Sequence, residues 1–227
     1  MRIFHSHCFA LLLFCSPLLL SAQSLFEQAE NDYHEMARTG AITMPGLPKA
    51  QALEQIEALK NETLTAAVAY QLGILHMHTQ QLPETVMYFE QMADLAETDE
   101  MQRTARLFVA KLHGIMQNED AALAQIAMAK KQWPNDPVVY LHEGEVYRKM
   151  KQWENAKAAF AKGMAMAKAD YLTPEQLTSY HFSYALAIGH TDGKTAGVAY
   201  SQEHVKPYSE RFHKYILHKL GVSEKEA

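Results

Sequence analysis

Cysteine is almost missing from this 227-residue chain: there are two, Cys8 and Cys15, and both lie in its first 23 residues. Beyond that segment no disulfide, thiol nucleophile or thiolate metal ligand is available. Glycine and proline are sparse, at 10 and 8 residues, which excludes fibrous and low-complexity chains. An excess of positive charge is lacking too. Lys and Arg number 21 against 26 Asp and Glu, a net charge of −5, whereas a nucleic-acid binder presents a strongly basic face. Nucleic acid is therefore not expected as a partner. The N-terminal apolar run, Phe9–Leu20, has twelve residues and is interrupted by Pro17, short of the roughly 20 that a spanning helix needs.

That run reads as an address. Residues 1–23 carry a single charge at Arg2, then the apolar run, then Ser21, Ala22 and polar Gln23. A charged start, a short apolar stretch and a small-residue exit are the marks of a secretory signal peptide. Cleavage near Gln23 and export, to a periplasm or outside the cell, are expected. Phe14 precedes Cys15 where a lipid-modified cysteine would need a small residue, so no lipid anchor is expected. Loss of Arg2 takes the remainder from −5 to −6, and a chain free of Cys suits an oxidising compartment because nothing can mispair.

What is present is helix-forming sequence almost everywhere from Ser24 on, dominated by Ala, Leu, Met, Glu, Gln and Lys. Asp136-Pro137 and Thr173-Pro174 each set an N-cap residue before a proline at the first helical position. Asn118 is a cap followed by the acids Glu119 and Asp120, which favour a helix N-terminus. No sustained alternation of apolar and polar residues argues for strands. The expected helices are 24–38, 48–60, 62–79, 82–96, 99–116, 119–132, 137–150, 153–168, 174–189, 192–204 and 207–220.

These helices repeat in pairs. Gly144, Ala156 and Phe160 recur 34 residues earlier as Ala110, Ala122 and Ile126, and 37 earlier again as Gly73, Thr85 and Phe89. They recur 41 residues later as Ala185, Gly197 and Ser201. Within each copy both helices keep one offset, so the extra residues fall between pairs. Paired helices approach closely only where small residues meet, which explains the Gly or Ala on each first helix. An ordinary bundle would also space apolar residues at three and four, but it does not predict coherent offsets of both helices.

Segment 137–168 holds Tyr140, Gly144, Tyr147, Ala156 and Phe160, and so resembles the tetratricopeptide repeat, a 34-residue helix–turn–helix unit. Glu143 departs from the leucine of that pattern and Lys168 from its closing proline. The resemblance implies an all-α fold, a right-handed α-solenoid of antiparallel helix pairs. Its expected parts are the signal peptide (1–23), a degenerate leading pair (24–61), the repeats (62–206) and an amphipathic C-terminal segment (207–227). In that last segment Tyr208, Phe212, Tyr215, Ile216 and Leu220 share one face, as a helix capping the end of a solenoid would require. A membrane-surface helix is the alternative use of the same face.

The resemblance also implies a scaffold or adaptor of the bacterial envelope, binding a protein or peptide in a concave groove lined by the first helix of each pair. Carried over by position, the candidate contacts are Tyr70, Ile74 and His78, then Leu107, Phe108 and Lys111, then Leu141, His142, Glu145, Arg148 and Lys149. Aromatic and aliphatic anchors with a basic edge would suit an extended or helical peptide bearing acidic groups. The Lys/Asn/Arg pattern by which some family members clamp a terminal carboxylate is absent.

Catalytic and metal chemistry find little footing. The histidines beyond the signal segment never fall three or four apart, so none pairs on one helical face as a metal site wants. His76 and His113 occupy the place of Tyr147 and are expected to pack. The dispersed methionines read as core filler. There is no nucleophile elbow, phosphate loop or dinucleotide fingerprint. No cofactor, metal ligand or catalytic residue is assigned, and an enzyme with an unfamiliar helical site is the remaining competitor.

Overall fold

The computed structural model describes residues 17–39, 42, 46–168 and 171–223. Most of the segment read as a signal peptide, residues 1–16, lies outside the described residues, as does most of the expected loop 41–47. Eleven helices and no strands occur among the described residues: α1 (Pro17–Thr39), α2 (Lys49–Leu59), α3 (Ala66–His78), α4 (Leu82–Leu95), α5 (Asp99–Ile115), α6 (Glu119–Gln132), α7 (Pro137–Lys149), α8 (Trp153–Met166), α9 (Pro174–Thr191), α10 (Lys194–His204) and α11 (Glu210–Leu220). Five starts differ from those expected of the sequence, α2 by one residue, α10 by two and the other three by three or more. Pro17 stands at the head of α1, which runs through the expected cleavage region. Thr65 delays α3 by capping it, its hydroxyl accepting from Val68 N–H at 3.2 Å. Ser209 does the same for α11 through Phe212 N–H at 3.2 Å.

Asp136 caps α7 by accepting from Val138 N–H at 2.9 Å, and Thr173 forms a reciprocal capping box with Gln176 at the head of α9. The turns inside the first three repeat pairs are built alike. Gln80, Gln117 and Lys151 all adopt left-handed backbone, with φ of 66°, 59° and 60°. Each is followed by an amide reaching back across the helix end: Gln81 to His76 at 2.8 Å, Asn118 to His113 at 2.9 Å and Gln152 to Tyr147 at 2.9 Å. This closure of a helix C-terminus normally recruits glycine. Glutamine and lysine conceal it in the sequence, although it keeps the 37- and 34-residue spacing of the repeats.

Successive helices pack antiparallel, and the odd-numbered ones also touch each other as α1–α3, α5–α7, α7–α9 and α9–α11. They form one layer of the solenoid while the even-numbered helices form the other. Within the pairs the small-residue positions lie at the contacts. A Cβ on Gly73 would stand 2.7 Å from the Phe89 ring, and one on Gly144 2.7 Å from the Phe160 ring. Ala110, Ala122 and Ile126 are buried together in the pair between them.

The last pair departs in an informative way. Ser201 stands where the others have Phe89, Ile126 and Phe160, and the space it leaves is taken by His213 of α11. Ser201 Oγ and His213 Nδ1 lie 2.8 Å apart, both residues buried. Ile216, Leu217 and Leu220 complete that contact against Ala185, Leu186 and Val198. Thus α11 caps the array with its apolar face, while Tyr208, Phe212 and Tyr215 remain exposed at its edge.

Candidate binding groove

The inner layer opens into one large groove of about 1060 Å³ across α5, α7 and α9. It is bounded by Ile42 and Met77 at one end and by Phe182 with Phe212 of α11 at the other. The same repeat positions supply its lining again and again. Thr104, Val138 and Ser179 are equivalents at the 34- and 41-residue offsets, as are Phe108, His142 and Ser183. Solenoid geometry turns one helical face toward the hollow in every pair, so equivalent residues become neighbours across it.

Seven of the eleven candidate contacts line this groove: Leu107, Phe108, Lys111, His142, Glu145, Arg148 and Lys149. The other four lie elsewhere. Tyr70 and Ile74 are each 2% exposed, inside a core cluster with Tyr33 and Met36 of α1. The Tyr33 and Tyr70 rings meet at a tilt, their centres 6.2 Å apart. His78 Nε2 lies 2.8 Å from the Leu47 carbonyl oxygen, so its ring ties α3 to the loop before α2. Leu141 is fully buried and packs with Ala156 and Phe160 of α8. These four serve packing.

The groove also has a wall that the repeat positions did not select. Tyr171, Leu172, Thr173, Gln176, Ser179, Tyr180, Phe182 and Ser183, from α9 and the loop before it, face α5 and α7. Extending the repeat positions by the 41-residue offset would have selected Phe182 and Ser183, the counterparts of Leu141 and His142. The loop residues carry no such register. Arg103 is a further groove residue outside the expected set: it pairs with Asp136 across the α5–α7 contact and approaches Glu100 at 3.8 Å. Asp136 in turn accepts a 3.1 Å hydrogen bond from Tyr171, so one carboxylate ties three repeats together.

Charge is unevenly matched inside the groove. Glu145 is satisfied by Arg148 at 2.8 Å. Burial pushes its carboxyl up, but the charge and hydrogen bond of Arg148, with Ser183 and Lys111, hold it below the usual carboxylate range. Among the described residues neither Lys111 nor Lys149 has an ion-pair partner. Burial, then the neighbouring charge of Arg148, pushes the Lys149 ammonium down. His142 presents its ring edge to Tyr180, centres 6.0 Å apart, and its Nδ1 is buried with no hydrogen-bond partner. Burial, and after it the charge of Lys111, lowers His142 to about 4. The ring is neutral near pH 7.

No group of three or more His, Cys, Asp or Glu residues able to hold a metal converges among the described residues. Outside the groove, His76 stacks on Tyr88 with ring centres 5.2 Å apart and bonds Gln81 at 2.6 Å, as a packing residue does. No described helix is long and apolar enough to cross a membrane.

No family model matches the chain, and no curated protein matches it. Among solved structures it is similar to MamA from residue 41 to its end, from Desulfovibrio magneticus RS-1. That similarity has a TM-score of 0.51 at 16% identity and covers 80% of this chain and 94% of that one. A MamA RS-1 ArsTM double mutant gives 0.48 at 18% identity, over 87% and 94% of the two chains. The first similarity places the fold: a tetratricopeptide-like, right-handed α-solenoid of antiparallel helix pairs.

Proposed function

We propose that this chain is a non-enzymatic scaffold or adaptor of the bacterial envelope that holds a protein or peptide in the groove of α5, α7 and α9. One observation carries the reading: the inner layer leaves an open groove of about 1060 Å³ lined by apolar, hydrogen-bonding and charged side chains together. That combination fits an extended or helical peptide better than a small substrate, because its polar groups are spread along the lining instead of converging on a reacting centre. The fold class favours the same reading, since solenoids present extended concave surfaces. The placement in the envelope rests on residues 1–23, whose charged start, apolar run and small-residue exit have the makeup of an export signal. N-terminal sequencing of protein recovered from the bacterial envelope should find a start near Ser24; a start at Met1 overturns export by cleavage.

The groove is tested by capture from an envelope extract with the parent chain and with Phe108→Ala and Ser179→Arg. Phe108 is half-buried and Ser179 exposed, so circular dichroism should show both folds intact. A partner retained by the parent and lost by both variants supports the groove. A partner held equally by all three moves the binding surface elsewhere. The alternative of a membrane-surface helix is not favoured, because α11 spends Ile216, Leu217 and Leu220 on its contact with α9 and α10.

A further inference from the structure

Resting on the reading of the groove as a peptide site, we infer that it selects an acidic–aromatic segment: a carboxylate side chain placed between Lys111 and Lys149, and an aromatic ring set against Phe182 and Phe212. The carboxylate end follows from charge that the protein leaves uncompensated. Of the cations lining the groove, Arg103 is matched by Asp136 and Arg148 by Glu145. Lys111 and Lys149 make no ion pair among the described residues and share only the longer-range charge of Glu145; both line the same hollow, with Asp99 and Glu100 also in its lining. Lys111 lies close enough for its charge to act on both Lys149 and His142. In a chain with net charge −5, such a pair of like charges stands against the overall sign, and an incoming anion relieves it.

His142 lines the same hollow as a neutral ring whose Nδ1 is shielded from solvent, so it sets no charge against that of the two lysines. The arginine fork of Arg148 is already occupied by Glu145, so the new anion meets ammonium groups, which accept many approach directions, and not a planar fork. Ammonium groups therefore fix the sign of the partner's charge, and the apolar neighbour fixes its place.

The aromatic end follows from the cluster that closes the groove. Phe182 packs with Phe212 at 5.2 Å and with Tyr215 at 5.8 Å between ring centres. Phe212 and Tyr215 remain 37% and 46% exposed, although α11 buries other large apolar residues. An exposed aromatic cluster continuous with a groove is where an aromatic anchor of a partner gains most.

The test uses random peptides displayed on phage, selected on the full chain, with synthetic copies of the selected sequences titrated by fluorescence anisotropy. The selected peptides should be enriched in Asp or Glu close to an aromatic residue. The double variant Lys111→Glu/Lys149→Glu should bind them about tenfold more weakly, as the loss of two part-exposed charge pairs gives. Copies carrying Lys in place of the acid should regain affinity for that variant. If charge reversal shifts the melting transition, Lys111→Gln/Lys149→Gln is read in its place. Peptides that lack acidic enrichment, lose affinity with Phe108→Ala and ignore both lysine variants overturn this inference while leaving the groove as the binding site. Peptides indifferent to Phe108→Ala and Ser179→Arg, or no selection above background, overturn the groove itself and the inference with it.

Discussion

The inner faces of α3 and of α5–α7 occupy equivalent places in the solenoid, yet one is sealed and the other open. Tyr70 aligns with Leu107 and Leu141, and Ile74 with Lys111 and Glu145. On α3 these positions are covered by α1, whose Tyr33 and Met36 join the same core cluster. On α5 and α7 the counterparts of Tyr70, namely Leu107 and Leu141, are buried in the cores shared with α6 and α8, but Lys111 and Glu145, the counterparts of Ile74, line the groove. Thus repeat position alone does not make a binding residue; what packs over the repeat decides. The residues fit their fates. An isoleucine stands under the lid, and a lysine and a glutamate stand along the open face.

Exchanging those residues should break the symmetry most sharply. Ile74→Lys buries a charge at a position 2% exposed, where no carboxylate is paired with it. It is expected to cost about 3–5 kcal/mol, seen as a large drop in the urea midpoint. The reciprocal Lys111→Ile should change stability by less than about 0.5 kcal/mol while weakening an acidic peptide. Equal losses from both exchanges would mean that the two faces are not differently covered.

Asp136→Ala is expected to act next most strongly, and only on the open half. It removes the α7 cap, the Arg103 pair and the Tyr171 hydrogen bond together, a loss of about 2–4 kcal/mol. Hydrogen exchange should rise around α5, α7 and the loop before α9 and stay low in α3. Asp136→Asn should restore most of the cap and little of the ion pair.

Gly73→Leu and Gly144→Leu test what the two halves share. Each would drive a side chain into a phenylalanine ring that stands 2.7 Å from the first added carbon. Each should cost about 1–3 kcal/mol by overpacking, with loss of protection in both adjoining pairs. A cost confined to one half would mean that the pairs are not built alike.

The smallest effect is one of pH. His142 in the groove and His181 on α9 are both held near 4, by burial first and then by Lys111 and His204 respectively. Unfolded, each takes its proton near the ordinary value of about 6.5. Between those limits the unfolded chain binds more protons, so stability falls as pH drops from about 6.5 toward 4. Glu145, held low, extends the decline below the ordinary carboxylate range. Thermal melts across pH should show this slope, and His142→Gln should flatten part of it. Lys111→Ile should do so too, by removing a charge that lowers His142.

The all-helical fold and the pairing of its helices were legible because helix propensity, caps and apolar spacing are local, and because Gly73, Gly144, Ala156 and Phe160 belong to sets that recur at fixed offsets. Seven groove residues were legible through that same register. The left-handed turn residues Gln80, Gln117 and Lys151 were not, since the backbone shape is imposed by helix pairs that pack on either side of them. Nor could the sequence separate Ile74 from Lys111, because the difference is made by α1, a helix far away along the chain. The wall at Tyr171–Thr173 comes from a loop outside the repeat pattern. Local chemistry sets helices and their pairing; which face stays open is decided only when distant helices compete to cover it, because burying apolar surface depends on what reaches it in space.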